Sequence, residues 1–317
     1  MKISIIALIT FLITISSFVT GCWTTKKYSE PKLSIEEERI LKETRAVKIT
    51  ISARSEWGAV KYHIEKDIRE KIAKVGLKVI QEDGQVHDAT LCIDYKETKG
   101  GRYYGGGFGT NVWCKVWLYH EQLGKTIFKT NLYGSPPSTV RGSLYSASIR
   151  SLKNDFEFKY LGELIAVVLS KPIETSKLVA ELPYGNRKKA IQLLARANWI
   201  PESPVEKAMW AAANERWEEC ITIGQPAVDP LIKMLNSRVV NKSKVAWVLG
   251  EIGDKRAVMP LIDNIGWSDD RIKLQVIIAL GKLKDDRALG LLGEYVNYKN
   301  KKIAEAAREA IKMIRSQ

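Results

Sequence analysis

Apolar and polar residues alternate with two different periods along this chain. From Ala46 to Tyr133 the period is mostly that of strands, and from Gly185 onward it is helical. Ala46–Arg54 sets Val47, Ile49 and Ile51 against Lys48, Thr50 and Ser52, the pattern of a strand with one buried face. Lys61–Val75 spaces Ile64, Ile68 and Ile72 along one side of an amphipathic helix that Gly76 closes. Further strands are predicted at Leu77–Gln81, Ala89–Tyr95, Thr110–His120 and Lys125–Tyr133. Within Thr110–His120, Val112, Cys114, Val116 and Leu118 alternate with Trp113, Lys115, Trp117 and Tyr119. Pro136-Pro137 ends the sheet, and helices are predicted at Ser143–Lys153 and Tyr160–Leu169. Upstream, Ser34 and Glu37 match a capping box, so a short helix opens at Ile35 and runs towards Glu43. This order predicts an α+β domain, a mostly antiparallel sheet with helices on one face.

The helical part repeats itself. VLGEIGDKRAVMPLIDNI from Val248 returns as ALGKLKDDRALGLLGEYV from Ala279, 31 residues later, and one more step reaches Ala310. Apolar positions keep phase through the copies: Val245, Val276 and Ala307; Leu249, Leu280 and Ile311; Ile252, Leu283 and Ile314. AVDPLIKML from Ala227 likewise returns as AVMPLIDNI from Ala257. Such a period predicts a solenoid of helix pairs, each pair burying an apolar stripe on its neighbour. Gly253 permits the tight turn between helices, whereas Lys284 holds that place in the next copy. Asp254 and Asp285 stand where an N-cap is needed, and Arg256 and Arg287 are placed to bridge adjacent copies. The last copy has Lys312 where Gly250 and Gly281 stand, as in a capping repeat.

The chain therefore reads as a leader at 1–21, a tether and short helix at 22–45, the α+β domain at 46–170, a connection at 171–185, and the repeats at 186–317. The formal charge of +14 adds an anionic partner or surface to this picture. Nucleic acid is the usual candidate, but the N-terminus argues against it. Met1-Lys2 precedes an uncharged, mostly apolar run that ends in Gly21-Cys22, the form of a secretory signal. Val19-Thr20-Gly21-Cys22 resembles a bacterial lipobox. The resemblance implies cleavage after Gly21, a lipid on Cys22, and export to a membrane-anchored position. In a Gram-negative host, Trp23 rather than Asp after Cys22 favours the outer membrane, facing the periplasm. An uncleaved membrane anchor is the alternative.

Candidate chemistry is sparse. The loop Gly100–Gly109 is rich in glycine but leads into a strand and lacks the Lys-Ser/Thr of a phosphate cradle. It reads as a hairpin tip, or as a contact loop presenting Arg102, Tyr103, Tyr104 and Phe108, residue types enriched at interfaces. If the hairpin folds symmetrically about Tyr103, Cys92 and Cys114 fall opposite each other and a disulfide is geometrically allowed. Two unpaired cysteines are the alternative. The histidines, His63, His87 and His120, lack metal-ligand spacing, and the repeats contain none. The repeats thus lack the His-Glu pairs with which deoxyhypusine hydroxylase, a helical-repeat enzyme, holds iron. No catalytic residue, metal or cofactor is assigned.

Leu249–Ile262 is similar to the HEAT repeat of the phycobilisome-lyase type. Trp199-Ile200-Pro201, Trp217 and Ile223–Ile232 resemble the segment that often precedes such repeats in bacterial proteins. The resemblance implies an all-α HEAT-repeat solenoid that binds proteins, and some relatives are bilin lyases. Basic residues stand at the starts of the inner helices: Lys242 and Lys244, Arg271 and Lys273, Lys301 and Lys302. Lining a concave face, they suit an acidic protein or an anionic envelope polymer. The expected function is a non-enzymatic lipoprotein scaffold in the cell envelope. The alternative is an envelope-assembly factor binding through the α+β domain and its Gly/aromatic loop, and a bilin lyase is the reading least supported.

Overall fold

Ser34 Oγ accepts a hydrogen bond from the backbone N–H of Glu37, whose carboxylate accepts one from Ser34 N at 2.8 Å, and helix α1 (Ile35–Glu43) starts there. The computed structural model describes residues 32–60, 62–80, 84–102, 108–135, 144–237, 241–266 and 269–316. By its contacts Leu33–Gln317 forms one unit. Strand β1 (Ala46–Ser55) leads to helix α2 (Ile64–Lys74), which buries Ile64, Ile68 and Ile72, and then to the short strand β2 (Lys78–Ile80). Three long strands follow: β3 (Ala89–Arg102), β4 (Phe108–His120) and β5 (Lys125–Gly134).

The strand order is β2-β1-β3-β4-β5, and this corrects the expectation of a mostly antiparallel sheet. β1 pairs in parallel with both β2 and β3, while β4 runs antiparallel to β3 and β5, so the sheet is mixed. The cause lies in the connection: α2 between β1 and β2 carries the chain back to the end from which β1 started, so β2 must run the same way. β3 also runs seven residues beyond the predicted end at Tyr95. Its extension is polar in sequence, yet Glu97 is buried: its carboxylate accepts bonds from the Tyr95 and Tyr145 hydroxyls, each at 3.0 Å. A polar residue thus takes a core position because its partners are built around it.

Helices α3 (Leu144–Asn154), α4 (Phe156–Lys159) and α5 (Leu161–Val168) follow the sheet. One face of the sheet carries Val47, Leu91, Ile93, Val112, Val116 and Leu118, and packs with Ile68, Leu152, Leu161 and Ile165 from the helices. The connection expected at 171–185 is itself built into the fold. It contains helix α6 (Ser176–Glu181), and Leu178 and Leu182 are fully buried in a second core with Phe156, Tyr160 and Leu193. Helices α7 (Arg187–Arg196), α8 (Pro204–Ala213) and α9 (Trp217–Ile223) come next. Two helices serve two cores each. α5 turns Leu161 and Ile165 to the sheet and Leu164 and Val167 to the second core. α8 turns Met209, Trp210 and Ala213 to that second core, and Ala208, Ala211 and Ala212 to a third.

The third core belongs to the repeats. Helices α10 (Val228–Leu235), α12 (Val258–Ile265) and α14 (Leu289–Tyr295) alternate with α11 (Lys242–Ile252), α13 (Asp270–Leu283) and α15 (Lys301–Arg315). The phased positions found in sequence meet inside it: Val245, Val276 and Ala307 are fully buried, as are Leu249 and Leu280. Ile311 is half-buried and packs against the same core.

Candidate interaction surface

The repeats fix their surface through three devices. The first is close approach: a β-carbon at Gly250 would lie 2.8 Å from Ala279 Cα, and one at Gly281 would lie 2.8 Å from Ala310 Cβ. α11, α13 and α15 therefore touch backbone to backbone along one seam. Lys312 takes the corresponding position on α15 and is exposed. The second device is the turn. Gly253 closes α11 in the left-handed region at φ 77°, and Lys284 closes α13 in the same region at φ 47°. The turn is thus kept although its glycine is not.

The third device is an arginine ladder. Asp254 and Asp285 cap the short turns that follow, accepting bonds from the Arg256 and Arg287 backbone amides. The Arg256 guanidinium binds Asp254, reaches Asp229 of the preceding copy at 3.1 Å, and donates to Gln225 O at 3.2 Å. Arg287 binds Asp285 and donates to Lys255 O at 3.1 Å, again one copy back. Hydrogen bonding to Arg287 pulls the Asp285 carboxyl down to about 2, and Arg256 does the same in direction for Asp254. The ladder is a structural brace.

The six basic residues of the repeats predicted as partner contacts sit in the first four residues of α11, α13 and α15. These helices run in the same direction. At one edge the N-cap Asn300 donates to Asp270, the first residue of α13, at 3.0 Å, and at the other Lys282 of α13 pairs with Glu251 of α11. The starts of the three helices, and with them Lys242, Lys244, Arg271, Lys273, Lys301 and Lys302, therefore share one edge.

Their surroundings differ. Lys244, Arg271, Lys301 and Lys302 are exposed; Lys242 is half-buried and donates to Asn264 at 2.9 Å, and Lys273 lies 5.7 Å from the Tyr298 ring centroid. Lys244 lies 4.7 Å from the Trp247 ring centroid, and Arg271 faces Asp269 at 3.6 Å. Asp269 and Asp270 partly offset the charge on α13, while α11 and α15 carry no acid in their first turns. Cations at a helix N-terminus oppose the helix dipole, at about 0.3–1 kcal/mol each. These helices carry charge where their own stability disfavours it.

Other predicted residues are not brought together. Gly21 and Cys22 lie outside the described residues, as do Tyr103 and Tyr104 and the side chains of Arg102 and Phe108. The disulfide between Cys92 and Cys114 is overturned. In the observed register Cys92 faces Trp117 and Cys114 faces Tyr95, so the two cysteines do not stand opposite each other. Pleating then puts Cys114 in the core, where burial pushes its thiol up to about 12, and Cys92 on the outer face; both are free.

His120 is buried with Nε2 3.0 Å from Thr44 Oγ1, and burial lowers its pKa. It shares a cleft of about 540 Å³ with His87, Asp88 and Glu121. His63 precedes α2 without capping it. Among the described residues no group of three His, Cys, Asp or Glu side chains is placed to hold a metal ion. None of their helices is long and apolar enough to cross a membrane.

Residues 227–312 match the family of HEAT repeats. No curated protein matches the chain. HEAT repeats generally mediate protein–protein interaction, and the matched stretch holds α10 to α14 and most of α15, the helices that carry the basic edge. Sequence reasoning missed one surface, an exposed pair formed by Trp113 and Tyr133. The alternation of aromatic with apolar residues along β4 was its signal.

Proposed function

We propose that this chain is a non-catalytic, membrane-anchored lipoprotein of the cell envelope whose HEAT repeats form a solenoid that holds an acidic protein partner. One observation carries the binding part of this reading. Six basic side chains sit at the starts of three helices of common direction, where they weaken those helices and add to the positive end of each dipole. A surface that keeps charge against its own stability is suited to a ligand of opposite sign. The protein-binding habit of HEAT repeats supports a protein as that ligand. The anchoring part rests on the apolar leader that ends in Gly21-Cys22.

The test uses the exposed members only. The triple variant Lys244→Glu, Lys301→Glu, Lys302→Glu keeps the Arg256 and Arg287 ladder and the Gly250 and Gly281 contacts. Crosslinking and affinity capture from the native host's membranes is expected to recover specific partners with the wild-type chain and to lose them with the variant. Recovery of the same partners by the variant would remove the basic edge from the function.

A further inference from the structure

The α+β part has a second surface that the repeats do not use. All helices of its core pack on one face of the sheet, and the other face is polar, basic and aromatic. The register sets this outer face in rows across β1, β3, β4 and β5. One row reads Arg54, Lys96, Trp113, Tyr133; the next reads Ser52, Asp94, Lys115, Asn131; the third reads Thr50, Cys92, Trp117, Lys129.

Trp113 and Tyr133 are 50% and 42% exposed, and their ring centroids lie 4.3 Å apart. Lys115 stands 5.4 Å from the Trp117 ring centroid. Arg54 is paired with Asp94 at 3.0 Å and Lys96 with Glu56 at 3.1 Å. Lys115 and Lys129 have no ion-pair partner among the described residues. Large exposed aromatic side chains are unfavourable in water, and two in contact on a sheet face that no described helix covers mark a recognition surface.

We propose that this face binds an acidic polysaccharide. Each requirement of such a ligand has a counterpart on the rows. The C–H faces of sugar rings stack on the electron-rich faces of Trp113 and Tyr133. Lys115 and Lys129 meet its carboxylates, and Ser52, Thr50, Asn131 and Asp94 hydrogen-bond its hydroxyls. The rows run across four strands, which suits an extended polymer crossing the strands. An aromatic and basic sheet face also suits single-stranded nucleic acid. The choice of a glycan rests on the exported location proposed above.

The full chain in detergent micelles, titrated calorimetrically with a polygalacturonate oligosaccharide, tests this. Binding is expected, with the double variant Trp113→Ala, Tyr133→Ala weaker by about tenfold or more, and Trp113→Phe close to wild type because stacking survives. A neutral dextran of equal length should bind at least about tenfold more weakly than polygalacturonate, for want of carboxylates. The Lys244→Glu, Lys301→Glu, Lys302→Glu chain should bind polygalacturonate as the wild type does, which separates this face from the basic edge of the repeats. Absence of polygalacturonate binding, or equal affinity of the double variant and wild type, would overturn the proposal. So would tighter binding of an oligodeoxythymidylate than of polygalacturonate, which would make the ligand a nucleic acid and count against export.

Discussion

Lys284 occupies a backbone conformation that disfavours any side chain. At φ 47° and ψ 58° it repeats the helix-ending turn that Gly253 makes one copy earlier. Lys284→Gly is expected to raise stability by about 0.5–1 kcal/mol, read from urea unfolding, because glycine removes the left-handed strain and returns only part of it as chain entropy. Gly253→Lys should lower stability by a similar amount. His120 offers a second single-residue test. Burial holds its pKa below the ordinary 6.5, so the unfolded chain binds the proton more readily than the folded one. Stability should fall as pH drops from 6.5 towards the lower folded value, and His120→Gln should flatten that part of the pH profile. Asp285 has the usual carboxylate sign. Its contribution is present above the ordinary 3.8 and is lost as pH falls through about 2. At this scale much was legible: the capping aspartates and the bridging arginines follow from their repeated places. The role of His120 was not, because its partner Thr44 lies 76 residues away.

Helices in the repeats are held at backbone distance, and two glycines show it by contrast. Gly281 leaves no room for a β-carbon beside Ala310, whereas Gly290 in α14 meets nothing within 4 Å. Gly281→Ala should cost about 1–3 kcal/mol by forcing α13 from α15. Gly290→Ala should instead stabilise by about 0.5–1 kcal/mol through helix propensity alone. Opposite signs from one chemical change, read as shifts in urea midpoint, are the expected result; equal signs would refute the seam. The elements themselves were largely readable, since Ile64, Ile68 and Ile72, and the phased Val245, Val276 and Ala307, carry their periods openly. The sheet was less so. Strand direction depends on which neighbour a strand finds, and neither the polar end of β3 nor the pairing of β1 with β3 leaves a local trace. The disulfide expectation failed for a related reason, because a small shift in strand register sends Cys92 and Cys114 to opposite faces.

For the molecule as a whole, the formal charge is +14, and the starts of α11, α13 and α15 carry six of its basic residues on one edge. If the basic edge recognises an acidic partner, capture should weaken as salt rises from about 0.05 to 0.5 M, because exposed charges are screened over a few ångströms at the upper end. A salt-insensitive complex would place recognition elsewhere. Cys22→Ser should release the chain from the membrane fraction on differential centrifugation; a variant that stays bound would point to the apolar leader itself as the anchor. The exposed basic residues were legible because repeats display the same positions again and again. The aromatic face was harder to see, since its rows exist only once four strands are aligned. The segment at 171–185 was the least legible, its flanking prolines suggesting a plain inter-domain connection where a helix that buries Leu178 and Val179 lies. That helix has a mechanical consequence. With α5 and α8 each sunk into two cores, the described stretch from α5 to the repeats is clamped rather than slack. A pull on whatever the repeats grip would pass straight through to the sheet, as along a strut rather than a leash.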